Sequence, residues 1–501
     1  MRDGILLATI NAKWIHPSLA LRLLKANLGS LQEHCEIMEF ALRQPLREKT
    51  EPILAARPRI LGLSVSIWNL AATVELLKEL RKAWKGAWPF VVLGGPEVSH
   101  LPEGAEIFHY ADCRVLGEGE TAFRELCETV YGAKGADASG RFFSEAGERN
   151  ILVANREFKQ VNLDAVKTGY GLYTDEDLRK KLTYVEASRG CPYSCEFCLS
   201  AHDKRVREFP LEPFLEEMDA LIQRGARTFK FLDRSFNLNI ARARRTMEFF
   251  LNRLERARLS TAADNPPFTV HFEMVPFRFP PELMETVARF PPGSLRLEIG
   301  IQTLNTEVSA LIGRPSDPML EIEALRLLRQ KTNAIIHADL IAGLPGENLA
   351  SFGKGFDLLW EALSPPPGNL EPQTTEPCPS GIHPSVEVQL GILKLLPGAP
   401  IARHSAAFGM CYNPAPPYEV TETAAIPAHD LDRIKNFARF WELIVNRNLA
   451  DPGPSPVFDR FMALADSLLA RFGRNWGIPK ADLVEALDPG KITFPVARVM
   501  V

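Results

Sequence analysis

Ser188-Arg-Gly-Cys191-Pro-Tyr-Ser-Cys195-Glu-Phe-Cys198 is the stretch on which the reading of this chain turns. The cysteines are spaced C-x₃-C-x₂-C and follow directly on an apolar run, Thr183–Glu186, that reads as a β-strand. They therefore lie on a loop at a strand's C-terminal end. Three thiolates can hold three irons of a cubane and leave the fourth iron open to a small molecule. A structural zinc site needs four ligands, and His202 is the candidate for the fourth. Coincidental core packing fits poorly, because Gly, Pro and Ser surround the cysteines. The remaining cysteines, Cys35, Cys113, Cys127, Cys378 and Cys411, are scattered and read as small buried hydrophobes.

Outward from this loop, a strand–helix series runs C-terminally. Its strands are expected at Thr183–Glu186, Thr228–Leu232, Phe268–Glu273, Leu295–Gly300, Ile335–Ile341 and Val386–Leu390, with amphipathic helices between them. Six such units make a partial (β/α)₆ barrel, whose chemistry sits at the strand C-termini. N-terminal to the loop, a second α/β series is expected, with strands at Gly4–Ile10, Glu36–Phe40, Ile60–Ser66, Phe90–Gly94 and Cys113–Leu116. That rhythm predicts a doubly wound, Rossmann-like parallel sheet with ligand loops at its strand ends. The expected boundaries are 1–135 for this domain, 136–182 for a linker, 183–400 for the barrel and 401–501 for a mostly helical extension. Helices are expected at Asp430–Asn446 and Phe458–Gly473, and the Pro-rich run 364–380 reads as a surface loop.

The barrel strands end on polar groups: Asp233 after the second, Glu273 on the third, Glu298 and Gln302 on the fourth with Arg314 following, and Asp339 on the fifth before Gly343-Leu-Pro-Gly-Glu347. A charge on an otherwise apolar strand must be paired or meet a ligand. The first domain's loops carry Asn11, then Ser64, Ser66, Trp68 and Asn69, then Gly94, Gly95 and Glu97, then Gly117, Glu118, Gly119 and Glu120. The glycines allow close backbone approach to a ligand, although no GxGxxG fingerprint is present.

The Ser-Arg-Gly-Cys-Pro-Tyr-x-Cys-x-Phe-Cys form resembles the radical S-adenosylmethionine (SAM) superfamily, in the branch with an N-terminal cobalamin-binding domain. Together with Asn11-Ala-Lys-x-Ile-His16-Pro-Ser, Gln389–Gly398 and Pro416-Pro-Tyr418-Glu419, it is similar to a cobalamin-dependent subfamily with a helical C-terminal extension. The resemblance implies three cofactors: a [4Fe–4S] cluster on Cys191, Cys195 and Cys198, SAM chelating the open iron, and cobalamin. It implies reductive SAM cleavage to methionine and a 5′-deoxyadenosyl radical. It places Phe197 by the adenine, Glu273 on the SAM amino group, Gln302 and Asp339 on the ribose, and Arg314 on the methionine carboxylate. Asp233 joins this set, and Gly343 lets the backbone approach the adenine. The first-domain residues named above are implied as cobalamin contacts, with Trp68 and Asn69 toward the cobalt's lower face. The Asp-x-His-x-x-Gly motif that puts histidine on cobalt is missing, so His16 is expected to cap the helix opening at Pro17, with cobalt ligation as the alternative.

The implied activity is methyl transfer to an unreactive centre of a small molecule or peptide. A cobalamin-containing cyclase or rearrangement enzyme is the alternative, followed by a non-catalytic cobalamin or iron–sulfur sensor. A methylthiotransferase would need three further cysteines in the first domain, where only the widely spaced Cys35, Cys113 and Cys127 occur. The implied partner is an electron donor such as flavodoxin or ferredoxin. A net charge of −4 over 501 residues gives no pull toward nucleic acid or anionic membrane. No apolar run approaches the ~20 residues that span a bilayer, so a cytoplasmic protein is expected.

Overall fold

The computed structural model describes residues 3–132, 151–260, 267–364, 386–487 and 498–499. The Gly/Ala/Ser-rich stretch 133–149 and, beyond Ser364, the Pro-rich run lie outside the described residues. Packing divides the chain into two units, Met1–Ala187 with Arg207–Lys230, and Ser188–Val206 with Phe231–Val501.

The first unit holds a sheet of β1 (Ile5–Asn11), β2 (Cys35–Ala41), β3 (Ile60–Ser64), β4 (Phe90–Gly94), β5 (Cys113–Val115) and β6 (Leu152–Ala154), in the order β2-β1-β3-β4-β5-β6. Every pairing is parallel. Both faces are buried, as parallel sheets require. Leu6, Ala8, Ile10, Leu61 and Leu63 pack with Val74, Leu77 and Leu80 of helix Leu70–Ala83. The alternate residues Ile5, Leu7, Ile60, Val92 and Cys113 pack with Phe123, Cys127 and Val130 of helix Glu120–Gly132. β6 falls inside the segment read as a linker. Its three residues are too few to show a period, and the uninformative stretch before them hides their partner.

In the second unit, β9 (Thr269–Met274), β10 (Leu295–Gln302), β11 (Ile335–Ala342) and β12 (Val386–Ile392) pair in parallel. Their order is β12-β11-β10-β9, while β7 (Thr183–Val185) and all but the last residue of β8 (Thr228–Phe231) belong to the first unit. Along β9, β10 and β11 burial alternates residue by residue. The buried set is apolar: Val270, Phe272, Met274, Leu297, Ile299, Ile336, Ala338 and Leu340. The half-buried set carries His271, Glu273, Arg296, Glu298, His337 and Asp339. One face of the sheet is thus a core face, and the other is lined by ionisable groups. A closed eight-stranded barrel fills its interior with branched apolar layers instead.

The extension supplies helices Ala428–Ile444, Phe458–Phe472 and Lys480–Ala486, with Gly473 closing the second in the left-handed region at φ 65°. Phe437, Trp441 and Phe458 pack around Phe356 of helix Leu349–Leu363, with Phe356 and Trp441 edge to face at 4.8 Å, and Phe461 packs on Phe437 and Trp441. Asn446 grips the edge strand: its Nδ2 donates to Val388 O at 3.0 Å, and its Oδ1 accepts Val388 N–H at 3.1 Å. An edge that would otherwise offer free backbone groups is thereby covered.

Candidate active site

The cysteine loop is held from several sides. Cys191 N–H donates to Asp203 O at 2.8 Å and Cys198 N–H to Cys195 O at 3.0 Å. Gly190 sits at φ 90°, and a Cβ there would meet Arg205 O at 2.3 Å. Ser188 Oγ donates to Asp233 Oδ1 at 2.6 Å, which ties the residue before the loop to the end of β8. Cys195 is buried, while Cys191 and Cys198 are half-buried. Cys191 Sγ lies 3.7 Å from Ser235 Oγ.

Arg314 reaches the same loop. Its Nη2 donates to Gly300 O, and its Nη1 stands 3.9 Å from Cys195 Sγ. Burial raises the Cys195 thiol, and the Arg314 guanidinium opposes that rise. Beyond Gly300 the strand bulges, and Gln302 adopts φ 69°, a conformation that costs a non-glycine residue about 1–3 kcal/mol. Its amide folds across Gly300, so that a Cβ on Gly300 would meet Gln302 Nε2 at 2.3 Å. Cys195, Arg314, Gly300 and Gln302 thus form one connected set. Behind them Glu321 is fully buried, and burial lifts its carboxyl to about 7 against the pull of Arg314.

Glu196, between two of the cysteines, is a residue the sequence reading passed over. It is buried, its Oε2 lies 2.8 Å from His404 Nε2, and its Oε1 binds Arg403. Its backbone is pinned as well, N–H to Ile312 O at 3.0 Å and O from Ile401 N–H at 2.9 Å. Glu196→Ala leaves Arg403 and His404 without their acceptor, and a loss of about 1.5–3 kcal/mol is expected. Thermal melts and iron retention through gel filtration check this, with Glu196→Gln recovering most of both.

On the ionisable sheet face, Asp339 is engaged: its Oδ1 lies 3.1 Å from His337 Nε2. His337 Nδ1 lies 3.1 Å from Glu387 Oε2, and Arg296 binds the same carboxylate. Burial alone would lower the His337 imidazole, but its hydrogen bonds to Asp339 and Glu387 prevail and hold it at about 10. Since the folded value lies above the unfolded one of about 6.5, this stabilisation is complete below about pH 6.5 and is lost as pH rises through about 10. His337→Gln should therefore melt below the parent near pH 6, with the two melting curves converging toward pH 10. Glu273 lies half-buried with Arg234 Nη1 at 3.9 Å, Phe197 is half-buried, and His271 pairs with Glu298 at 3.0 Å. A Cβ on Gly343 would meet Val420 Cγ1 at 2.5 Å, so the space its missing side chain leaves is occupied by Val420. Glu347 is buried beside Thr303, whose hydroxyl donates at 2.8 Å, and burial raises its carboxyl to about 7.

In the first unit the order β2-β1-β3 reverses direction at β1/β3, and ligands of doubly wound sheets bind at the carboxyl ends beside that switch point. Trp14 and Ile15 after β1, Leu42 after β2 and Trp68 after β3 are all exposed there, about half so for both tryptophans. Trp14, Ile15 and Leu42 were not singled out from sequence, where an isolated aromatic after a strand carries no pattern. No atom lies within 4 Å of a Cβ built on Gly94, whereas one on Gly95 (φ 106°) would meet Val65 O at 2.4 Å.

Other loop residues are committed to the protein itself. Asn69 is fully buried. Its Nδ2 donates to Ile10 O at 2.9 Å and Ser64 O at 3.2 Å, and its Oδ1 accepts Ser66 N–H at 2.8 Å. It clamps the switch-point loops and has no side chain to turn toward a ligand, unlike the expectation. Glu118 likewise binds Arg207, with Oε1 2.5 Å from Nη2, and accepts Val161 N–H at 2.7 Å. Asn11 donates to Glu39 at 3.2 Å, and Ser66, Glu97 and Glu120 are buried. Gly117 (φ 62°) packs on Phe158 and Gly119 on Leu24. The helix after Pro17 is capped by Ser18, which accepts Leu21 N–H at 3.3 Å. His16 instead holds the Tyr184 hydroxyl through Nδ1 at 2.7 Å.

The donor sets fit the expected groups. Among the described residues no three His, Cys, Asp or Glu side chains converge on one metal-ion position, and His202 Nε2 is spent on Gly398 O at 2.8 Å. Three thiols with a guanidinium beside them suit a cubane, in which each cysteine takes a different iron. Cys35, Cys113 and Cys127 lie in the first unit's core; burial pushes the first two thiols to about 12 and the third higher still, the state of packing groups and not of ligands.

The profile of the B12 binding domain matches residues 5–127, and that of the radical SAM superfamily matches residues 185–359. The chain belongs to the cobalamin-dependent radical SAM family. Family membership brings a [4Fe–4S] cluster, SAM and cobalamin as cofactors. The chain is 29% identical over 331 residues to a 2-(S-pantetheinyl)-carbapenam-3-carboxylate methyltransferase of Streptantibioticus cattleyicolor, covering 61% of this chain and 45% of the relative. It is 26% identical to the cobalamin-dependent radical SAM methyltransferase TokK of Streptomyces tokunonensis, covering 64% of this chain and 47% of that one. It thus spans less than half the length of these curated relatives. In fold it is similar to OxsB with aqua-cobalamin and SAM bound, at a TM-score of 0.63 and 15% identity over 98% of this chain and 82% of that one. It is similar also to TsrM of Kitasatospora setae with cobalamin and the cluster bound, at 0.59 and 18% identity over 83% and 81%. Among the described residues, no helix is long and apolar enough to cross a membrane.

Proposed function

We propose that this chain is a cobalamin-dependent radical SAM methyltransferase acting on an unreactive centre, a carbon in the first instance, of a small molecule or peptide. The observation that carries the reading is the three-cysteine loop, with Arg314 beside Cys195 and in the same unit as a sheet face of ionisable side chains, in a chain similar to a carbapenam methyltransferase and to a cobalamin-dependent radical SAM methyltransferase. When bound, the cofactors supply an electron, a radical precursor and a methyl carrier.

The protein's own residues do the positioning. Cys191, Cys195 and Cys198 would hold the cluster. Arg314, anchored on Gly300 O beside Cys195, presents a fixed guanidinium suited to a carboxylate. Glu273 offers a carboxylate to an ammonium group. Gln302 and Asp339 offer hydrogen bonds to ribose hydroxyls, with His337 fixing the Asp339 carboxylate. Phe197 completes the adenine side, while the space beside Gly343 is taken by Val420 and not by the adenine. In the first unit the exposed Trp14 and Trp68 with the open Gly94 offer a flat apolar platform to a corrin ring, while Asn69 keeps the underlying loops rigid.

Anaerobically reconstituted protein tests this through its iron, sulfide and cobalt content, the SAM-dependent EPR of the reduced cluster, and transfer of label from methyl-labelled SAM to candidate acceptors. The expected result is about four irons and one cobalt per chain, with a SAM-shifted signal. Zinc alone would overturn the reading, and SAM cleavage without any methylated product would leave the cyclase or rearrangement reading in its place.

A further inference from the structure

Gln302 is held in a conformation that a glutamine does not adopt unforced. Its φ of 69° closes a three-residue turn, in which Thr303 N–H donates to Ile301 O at 2.9 Å. A γ-turn of this hand is rare and strained, and it persists only where its surroundings enforce it. Here the turn follows the bulge after Gly300 and folds the Gln302 amide back across that glycine.

What enforces the turn stands behind Thr303. That residue is buried, and its hydroxyl donates to Glu347 Oε1 at 2.8 Å while accepting Asn305 N–H at 3.1 Å. Thr303 is thereby fixed through both its amide and its side chain, one residue past Gln302. Glu347 is itself only 2% exposed, on the turn that leaves β11, where its N–H donates to Leu344 O at 3.2 Å. Its second carboxyl oxygen has no hydrogen-bond partner among the described residues. Keeping a carboxyl out of water for one hydroxyl is costly, and burial lifts this one to about 7. An apolar side chain would fill the place at less cost. The acceptor is kept for what it holds.

We infer that Glu347 is a positioning residue: through the Thr303 hydroxyl it locks the strained turn that presents the Gln302 amide. This inference rests on the ribose role proposed above for Gln302. Glu347 neither touches the ligand nor takes part in bond making; it fixes the direction of a group that does.

The test compares the full, cluster-loaded chain with its Glu347→Ala and Glu347→Gln variants. Equilibrium dialysis reads two probes, SAM and its 2′,3′-dideoxy analogue, which lacks the hydroxyls assigned to Gln302. In Glu347→Ala, SAM should bind about tenfold more weakly, and the dideoxy analogue as it binds the parent. Glu347→Gln keeps an acceptor for the Thr303 hydroxyl and should recover most of the loss. Hydrogen exchange over residues 300–305, measured without SAM, should quicken about tenfold in Glu347→Ala and stay near the parent rate in Glu347→Gln. If Glu347→Ala fails to fold, Thr303→Val, which removes only the donating hydroxyl, replaces it with the same expectations. Unchanged SAM affinity or unchanged exchange in the variant would overturn the proposal. So would an equal loss for both probes, which marks general damage. A parent that binds SAM no better than the analogue would defeat the ribose role of Gln302 instead, while the exchange rates would still decide the lock.

Discussion

Cys198→Ala is expected to abolish reductive SAM cleavage while leaving the protein folded. The Cys198 side chain is half-buried on a loop, and the described bonds of this residue run through its backbone. Removing one sulfur there opens no core cavity, so the cost in stability is small. The cost to the metal site is total, because a cubane held by three thiolates loses one of its anchors. Iron should drop from about four per chain to well under one, and the EPR signal of the reduced protein should vanish. Two controls separate chemistry from folding. Cys127→Ala removes a core sulfur and should lower the melting temperature with iron unchanged. Cys411→Ala, at an exposed site, should change neither.

Gly190→Ala should be nearly as damaging without removing a ligand. Gly190 sits at φ 90°, where an alanine is strained by about 1–3 kcal/mol. Its Cβ would also overlap the Arg205 carbonyl oxygen, a backbone atom that moves only if the segment moves. That segment carries Asp203, whose carbonyl holds Cys191 N–H. Relief of the overlap therefore breaks the bond that sets the first cysteine. A lower melting temperature together with poor iron loading is expected. If Gly190→Ala loaded iron as the parent does, the contact with segment 203–205 would not be what shapes the loop.

The fold was legible where residues repeat with a period. The eleven strands expected from sequence all appear within a residue or two of their expected positions, because short apolar runs between helices admit few other readings. β6 escaped, being three residues long and separated from the rest by a patternless stretch. The site was legible in its types and less so in its wiring. Arg314, assigned through the resemblance, stands 3.9 Å from Cys195 Sγ on the cysteine loop. Asn69 and Glu118 were read as ligand contacts because they stand on the right loops, yet one is consumed by backbone groups and the other by Arg207. Sequence places a residue on a loop; it does not say which way the amide or carboxylate turns. Glu196 and His337 were missed for the converse reason, since their partners, Arg403, His404 and Glu387, lie far along the chain. Only the period-2 relation of His337 to Asp339 on one strand face hinted at that pair.

The ionisable face of the second sheet has a consequence for how the protein is made. A sheet ordinarily drives its own assembly by burying both faces, but here one face is only half-buried and carries ionisable groups. Ligands that bind only the folded state add their binding energy to its stability. The empty chain should then be a short-lived species in a cell, prone to proteases and aggregation. Yield would track the supply of iron, sulfide and SAM during synthesis more closely than it tracks the strength of the promoter.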